Sequence, residues 1–591
     1  CLCIFLLHSR WLYAWQMARR VVAWLRNDLR LHDNEIFHAP GLRTASELWV
    51  VYCVDPRHWE LSRWGEHRRC GPYRSRLIAE SLEALGVSLG GISSKLSVFA
   101  GKPEEVLPHL LPSGSLLLYQ AEDTHDEQQV EQAVRAGLAA DVEVCCHYGQ
   151  TLRNRNDLGF DVREWLPLPF GKFYHETCAA VTPRKELPAP GRGHLPPPPR
   201  SIASTGLDVV EPLASRILQV MGLRPELLEE TPAGEFQWHG GEAEAWKQLK
   251  AYYTKTGLGR YQQTRNQLHC HCSSRLSPWM AIGCLSPRSV YWHAKKFEAE
   301  NGQDLDRRFD HVQKFIFQLC WRDYFHFYCV HFGRKVFFLS GPAQRERSWR
   351  RDDAVEQSWK QGRTGVPLVD ALMRELAATG FMANRGRYIV ASYLIHYLNI
   401  DWRVGADWFE SLLLDHDVCS NYGEWASMAN VAVDLGDKYP LGLKGRGPTG
   451  GRKKGARGGG GDPWAKGVDA GDAVFDPFEQ ACHYDRDESY VRRWLPELRN
   501  TPAGAVHGQS KGPEGYPSPL AAEPVTLSRR RLMPSPQQAQ PKQRLRVPKD
   551  NPLKQSEDKD TQAPQRVAAG SEPAHRPTRR WQAKAPRSVA A

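Results

Sequence analysis

The chain has 591 residues, with 78 Lys and Arg against 67 Asp and Glu for a formal net charge of +11, and 41% of it is hydrophobic. That length exceeds what one hydrophobic core covers, so two or more domains are predicted and a wholly disordered chain is excluded. Fourteen cysteines over such a length, with no regular CxxC pairs, exclude a disulfide scaffold and point to a reduced compartment.

Residues 1–18 contain no acid, and their apolar run from Cys1 to Leu7 is too short to span a membrane. They read as a leader, the remnant of an organelle-targeting peptide, with Met17 as a candidate start. From 19 to 150 the apolar runs VVAWL at 21, LWVVYCV at 48, KLSVFAG at 95, SLLLYQA at 115 and VEVCCHY at 142 alternate with helical patterns such as RSRLIAESLEALGV at 74. This rhythm predicts βαβ units on a doubly wound parallel sheet. Residues 151–235 lose it, and GRGHLPPPPR at 191–200 is a stiff, helix-free spacer, so this stretch is the predicted linker.

Residues 236–500 carry helical periods and many aromatics, as in EAEAWKQLKAYY and GRYIVASYLIHYL, and form a predicted all-α domain. It is interrupted at 441–474, where 12 Gly, 7 Lys and Arg and 3 Asp leave too little apolar content to order the chain. Residues 501–591, with 16 Lys and Arg against 7 Asp and Glu, read as a disordered basic tail. Insertion and tail hold more than the whole net charge, and they serve either an anionic partner such as nucleic acid or plain solvation. His269, Cys270, His271 and Cys272 are adjacent, so their side chains diverge, and no metal site is predicted.

Two segments carry more chemistry than packing needs. CSSRLSPWMAIGCLSPRSVYWHA at 272–294 has two Ser-Pro steps where helices are predicted to begin, with Ser as N-cap and Pro at the first helical position. Ser273, Ser274 and Arg275 cluster beside the first of these steps, where a phosphate is favoured and chance serines are the alternative. The segment DWRVGADWFESLLLDHDVCSNYGEW at 401–425 gathers Asp415, Asp417 and Asn421 between tryptophans.

Read together, FIFQLCWRDYFHFY (315–328), TGFMANRGRYIV (379–390), the 401–425 segment and WLRNDLRLHDN (24–34) resemble the photolyase and cryptochrome family over roughly 19–500. FAGKPEEVLP, LGFDVREWLPLPFGKFYHE (158–176), LDHDVCSNYG and YDRDESYVRRWLPEL resemble the DASH-type cryptochromes within it. The resemblance implies an α/β domain followed by a helical domain holding FAD. Ser273, Ser274, Arg275, Leu276 and Ser277 would hold its phosphates with Tyr261 nearby, and Gln318, Arg322 and Asn384 would complete its pocket. Asp415 and Asp417 match the acids near the ring and ribose, Arg387 the partner of the first, and Asn421 the residue facing flavin N5. An Arg–Asp pair and an amide there bias which redox form is stable, while an ordinary buried ion pair is the competing account. Trp425, Trp402 and Trp349 match a chain of tryptophans that passes electrons to the flavin, although tryptophans usually serve as core.

Trp321 matches an aromatic that stacks on extruded bases. Gln318 stands where dimer-repairing members carry glutamate, Ser427 replaces an aromatic, and Tyr388 replaces an amide or methionine. Asn384 and Tyr388 fall where (6-4) repair enzymes carry histidines, which disfavours that chemistry. A folate antenna, 5,10-methenyltetrahydrofolate, is implied between the domains, with Glu122 or Asp123 in LYQAEDTHDE, taken as exposed loop acids, as its carboxylate contact.

The implied protein absorbs blue light and binds DNA, preferentially single-stranded, with RNA a further candidate, as a monomer with no membrane span. Whether it is an enzyme stays open between two readings: a deoxyribodipyrimidine photolyase repairing cyclobutane dimers in single-stranded DNA, or a photoreceptor signalling through flavin redox state. Chloroplast or mitochondrion is the favoured compartment, with nucleus and cytoplasm as alternatives.

Overall fold

The structure is a computed structural model that describes residues 19–62, 67–200, 207–230, 233–234, 236–269, 272–433, 474–507, 513 and 515–525. The leader at 1–18, Cys270, His271, the insertion up to residue 473 and the chain beyond 525 lie outside these.

Each of the five predicted apolar runs forms a strand: β1 (Arg19–Leu25), β2 (Ala45–Val54), β3 (Leu96–Ala100), β4 (Leu116–Gln120) and β5 (Glu143–His147). Helices α1 (Pro72–Gly91), α2 (Pro103–Leu110) and α3 (His125–Ala136) connect them. The strands are parallel in the order β5-β4-β1-β2-β3. Alternate residues of one strand serve two cores: Val21, Ala23 and Leu25 pack on one face, Val22 and Trp24 on the other. A strand covered on both sides needs apolar residues throughout, which is why these runs do not alternate with polar ones.

The linker is less featureless than its composition suggests. Val209–Val210 forms β6, which adds antiparallel to β3 at the sheet edge, and Ala214–Val220 is a helix. The proline run at 195–200 is free of helix, as predicted.

The helical region contributes α4 (Glu242–Tyr252), α5 (Pro287–Asn301), α6 (His311–Phe332), α7 (Pro367–Thr379), α8 (Asn384–Ser392), α9 (Trp402–Leu412) and α10 (Val418–Met428). It docks on the loop after β1. Asp33 forms a buried ion pair with Arg288 on α5 at 2.9 Å, Arg30 donates to the Gly283 carbonyl at 2.9 Å, and Glu242 on α4 accepts from the Leu31 and His32 amides. Gly283 is required at this contact: its φ is +74, and a Cβ there would sit 2.0 Å from the Asn27 carbonyl oxygen.

Residues 501–525, predicted as the start of a disordered tail, are instead bound to the helical region where described. Tyr516 donates to Asp370 at 2.8 Å, the Leu520 amide to the Thr364 carbonyl at 2.9 Å, and the Tyr393 hydroxyl to the Ala521 carbonyl at 3.1 Å. Composition missed this because a few anchors, not an apolar run, hold the segment. All cysteines among the described residues are free, and no described helix is long and apolar enough to cross a membrane.

Candidate functional site

A cavity of about 1490 Å³, counting its open mouth, lies among α6, α8, α10 and the segment 273–281. It is lined by Tyr261, Ser273, Ser274, Arg275, Ser277, Gln318, Trp321, Arg322, Asn384, Arg387, Asp415, Asp417, Asn421 and Trp425, so it gathers residues that lie over 160 positions apart in sequence. Leu276 is the exception among the predicted cofactor residues. Its side chain is fully buried in the core, so only its backbone can serve a ligand.

Helical spacing places most of this set. On α6, Phe315, Gln318, Leu319, Arg322 and Phe325 recur at three and four residues and face the cavity. On α10 the same spacing brings Ser420, Asn421, Glu424, Trp425 and Met428 to its wall. Ser427 lies off that stripe and is buried elsewhere, so the residue that replaces a usual aromatic adds nothing to the lining.

Asp415 is the centre of one polar cluster. Arg387 Nη2 approaches its carboxylate oxygens at 2.9 and 2.8 Å, Ser277 Oγ donates to it at 2.7 Å, and Arg387 Nε is fixed by the Met382 carbonyl. The Ser277 hydroxyl is therefore engaged with Asp415 and does not cap a helix. The five-residue helix Ser277–Ala281 begins at Ser277 itself, with Leu276 at the N-cap, whereas Ser286 does cap α5 as predicted.

Asp417 caps α10 by accepting from the Ser420 amide at 2.9 Å. Its other oxygen meets Arg322 Nη2 at 3.1 Å and His326 Nε2 at 2.8 Å. On the far side His326 Nδ1 lies 2.8 Å from Asp123, which also faces Arg155 at 3.6 Å. Burial alone would raise the Asp417 carboxyl, but His326 and Arg322 outweigh it and hold it well below the usual carboxylate range. Burial would likewise lower His326, but Asp417 and Asp123 hold it well above the usual imidazole range. The result is a charged imidazolium donating to a carboxylate at each end.

Asp123 and Glu122, taken from sequence as exposed loop acids, are only 6% and 7% exposed. Glu122 accepts from Asn27 at 3.1 Å and faces Arg26, and burial pushes its carboxyl above the usual range. His326 was not singled out by sequence reading, although its place four residues after Arg322 on α6 was a usable signal.

Further polar groups line the cavity. Asn421 Nδ2 donates to the Ala406 carbonyl at 2.9 Å, which orients the amide at the cavity wall. Both ring nitrogens of His416, another lining residue, are buried with no hydrogen-bond partner among the described residues. Arg275 is held at φ +53 with its guanidinium 5.0 Å from the rings of Phe236 and Phe381. A cavity lined by hydroxyls, an arginine, ion-paired acids and aromatic rings fits a nucleotide cofactor bearing a large ring system.

Of the tryptophans, Trp425 lines the cavity, Trp402 is fully buried on α9, and Trp349 is part-exposed. Trp425 packs on α9 one turn from Trp402, since a Cβ at Gly405 would lie 2.2 Å from the Trp425 ring. Trp402 Nε1 donates to the Leu339 carbonyl at 3.1 Å, and the Arg347 guanidinium lies 4.2 Å from the Trp349 ring. Trp321 is also part-exposed and stacks on Phe170 at 3.5 Å, which holds its ring rigid.

The family model described as the FAD binding domain of DNA photolyase matches residues 315–530, and that described as DNA photolyase matches 21–191. Cryptochrome DASH of Danio rerio is 36% identical over 503 residues, covering 83% of this chain and 85% of the relative. The Arabidopsis thaliana relative, whose name reads Cryptochrome DASH, chloroplastic/mitochondrial, is 33% identical over 493 residues, covering 82% of this chain and 77% of its own length. Among solved structures, a cryptochrome from Synechocystis sp. superposes with a TM-score of 0.68 at 33% identity, covering 83% of this chain and 91% of that one.

Proposed function

The chain belongs to the DASH-type cryptochromes of the photolyase family and binds FAD, and from that premise we propose that it uses blue light to repair cyclobutane pyrimidine dimers in single-stranded DNA. When bound, FAD supplies light-driven one-electron transfer. The single observation that carries the reading is the cavity, whose lining combines paired charges with aromatic rings.

Ser273, Ser274 and Arg275 would hold the phosphates, while Arg387 pairs with Asp415 at 2.8 Å. Asn421 offers its amide oxygen to an N–H donor, because its nitrogen is engaged with Ala406. Trp425, Trp402 and Trp349 provide a route for electrons from the surface. Trp321 and Tyr388 receive the extruded bases, whose unstacking costs least in a damaged single strand. The lining of the cavity by Gln318 rather than an acid favours the second reading, a photoreceptor with little repair.

A folate antenna is proposed at the crevice between the carboxyl ends of β1 and β4, where the strand order reverses and ligands of open α/β sheets bind. Glu122 is its contact there, since Asp123 is already engaged by His326. The protein is proposed to act as a monomer in an organelle, on DNA and secondarily on RNA. The basic chain beyond 525 adds phosphate contacts, so affinity falls steeply with salt.

The test compares photoreduction and dimer repair on single- and double-stranded DNA in one purified sample. Yellow protein that releases FAD, repairs single-stranded dimers and loses most photoreduction as Trp425→Phe while keeping FAD is the expected result, because phenylalanine fills the space but resists oxidation. Unchanged photoreduction in that variant would overturn the electron route, and photoreduction without repair would establish the photoreceptor reading.

A further inference from the structure

Glu424 sits three residues after Asn421 and one before Trp425, on the stripe of α10 that lines the cavity. The neighbouring acids are engaged, Asp415 by Arg387 and Ser277, Asp417 by Arg322 and His326. Glu424 has no ion pair among the described residues, and the Tyr388 hydroxyl on α8 acts on its carboxyl. Tyr388 stands at the aromatic side of the cavity, its ring stacked on Phe475 at 5.6 Å.

We propose that Glu424 determines which base the cavity accepts, its protonated carboxyl donating a hydrogen bond to a carbonyl oxygen of an extruded pyrimidine. This rests on the reading above, that the aromatic wall receives damaged bases of single-stranded DNA. Trp321 and Tyr388 offer the flat faces on which such a ring stacks. A donor beside them must be neutral, because a carboxylate repels a carbonyl oxygen. Glutamine at 318 offers a donor that is blind to pH, so Glu424 is the group here that reports proton concentration.

The charges around Glu424 decide its state. Arg387 on α8 favours the carboxylate, Asp415 and Asp417 before α10 oppose it, His416 in the same loop is held neutral, and Arg322 and His326 on α6 are turned toward Asp417. Burial and the two aspartates prevail over Arg387 and push the carboxyl up to about 7. Below that value Glu424 donates; above it, it adds a negative charge to a site meant for polyanionic DNA. Preference for the damaged strand therefore falls as pH rises through about 7.

The experiment uses FAD-loaded full-length protein in darkness and reads fluorescence anisotropy of a labelled single strand carrying one cyclobutane thymine dimer, against the same strand undamaged. The parent's preference for the dimer should fall about three- to tenfold between about pH 6 and about pH 8.5. Glu424→Gln keeps a donor at every pH, so its preference should be flat and close to the parent's acid value. Glu424→Ala should be flat and low, and FAD content equal to the parent's verifies folding in both.

A parent whose preference does not titrate, or a Glu424→Gln variant that titrates like it, overturns the inference while leaving the substrate reading intact. A flavin spectrum shifted by Glu424→Gln also overturns it, because the acid would then face the cofactor. Absence of any dimer preference at either pH defeats the substrate reading itself and the inference with it.

Discussion

One set of cavity residues, the first wall, has Asp415 bound by Arg387 and Ser277, and Asp417 by Arg322 and His326, so that each buried charge has its counter-charge. In a second set, the second wall, Trp321, Tyr388, Gln318 and Glu424 contribute rings, an amide and a carboxyl without an ion pair among the described residues. The first wall is preorganised and suits a resident group that stays in place. The second keeps its polar capacity for a visitor. Breaking the first should therefore damage stability and cofactor retention together, whereas changing the second should leave both and alter what is bound or repaired.

The largest effect is expected from Asp415→Ala. Removing the carboxylate leaves Arg387 in the cavity without its partner and Ser277 without its acceptor, and breaking a buried pair typically costs about 3–5 kcal/mol. The purified variant should melt well below the parent and lose most of its FAD on gel filtration. Full retention of FAD would show that the two walls do not differ in this way.

His326→Gln should cost less, about 1–3 kcal/mol, because glutamine still donates a hydrogen bond to one of the two acids. The pH dependence follows from the raised imidazole. A group whose folded value lies above its ordinary one stabilises fully below that ordinary value, and loses the contribution as pH rises through the folded value. The melting-temperature gap between parent and variant should be widest near about pH 6 and narrow in alkaline buffer. A gap that widens with pH would mean the imidazole is neutral and the wall is not locked by charge.

This contrast also separates what sequence reading reaches from what it misses. The β strands were legible because burial on both faces writes a continuous apolar run, and the helical domain because helical periods recur through it. Asp415 with Arg387, and the gathering of Ser273, Tyr261, Gln318 and Asn421, followed from family motifs and not from periodicity. Glu122 and Asp123 were misjudged because their neighbours in sequence are polar, while what buries them is Arg26 in the loop after β1 and, for Asp123, His326 on a distant helix. The two-residue strand β6 and the anchored segment 501–525 carry too few apolar residues to register in any window. Glu424 went unnoticed for the same reason as Asp123: its character comes from what folds around it.

The smallest effect should come from Gln318→Glu, on the wall that keeps its capacity free. The substitution is nearly isosteric and lies in an open cavity, so melting temperature and FAD content should match the parent. Repair of single-stranded dimers should rise, since a carboxyl can donate or transfer a proton where an amide only donates. The gain should stay below the ~10²-fold typical of general acid catalysis, because Tyr388 occupies part of the wall and Ser427 supplies no aromatic face to it. It should also be greatest below about pH 7, where Glu424 is protonated, and fade above it, where the Glu424 carboxylate opposes a second negative group and the DNA. Efficient repair by the unmodified protein, unchanged by Gln318→Glu at any pH, would show that the second wall is as complete as the first.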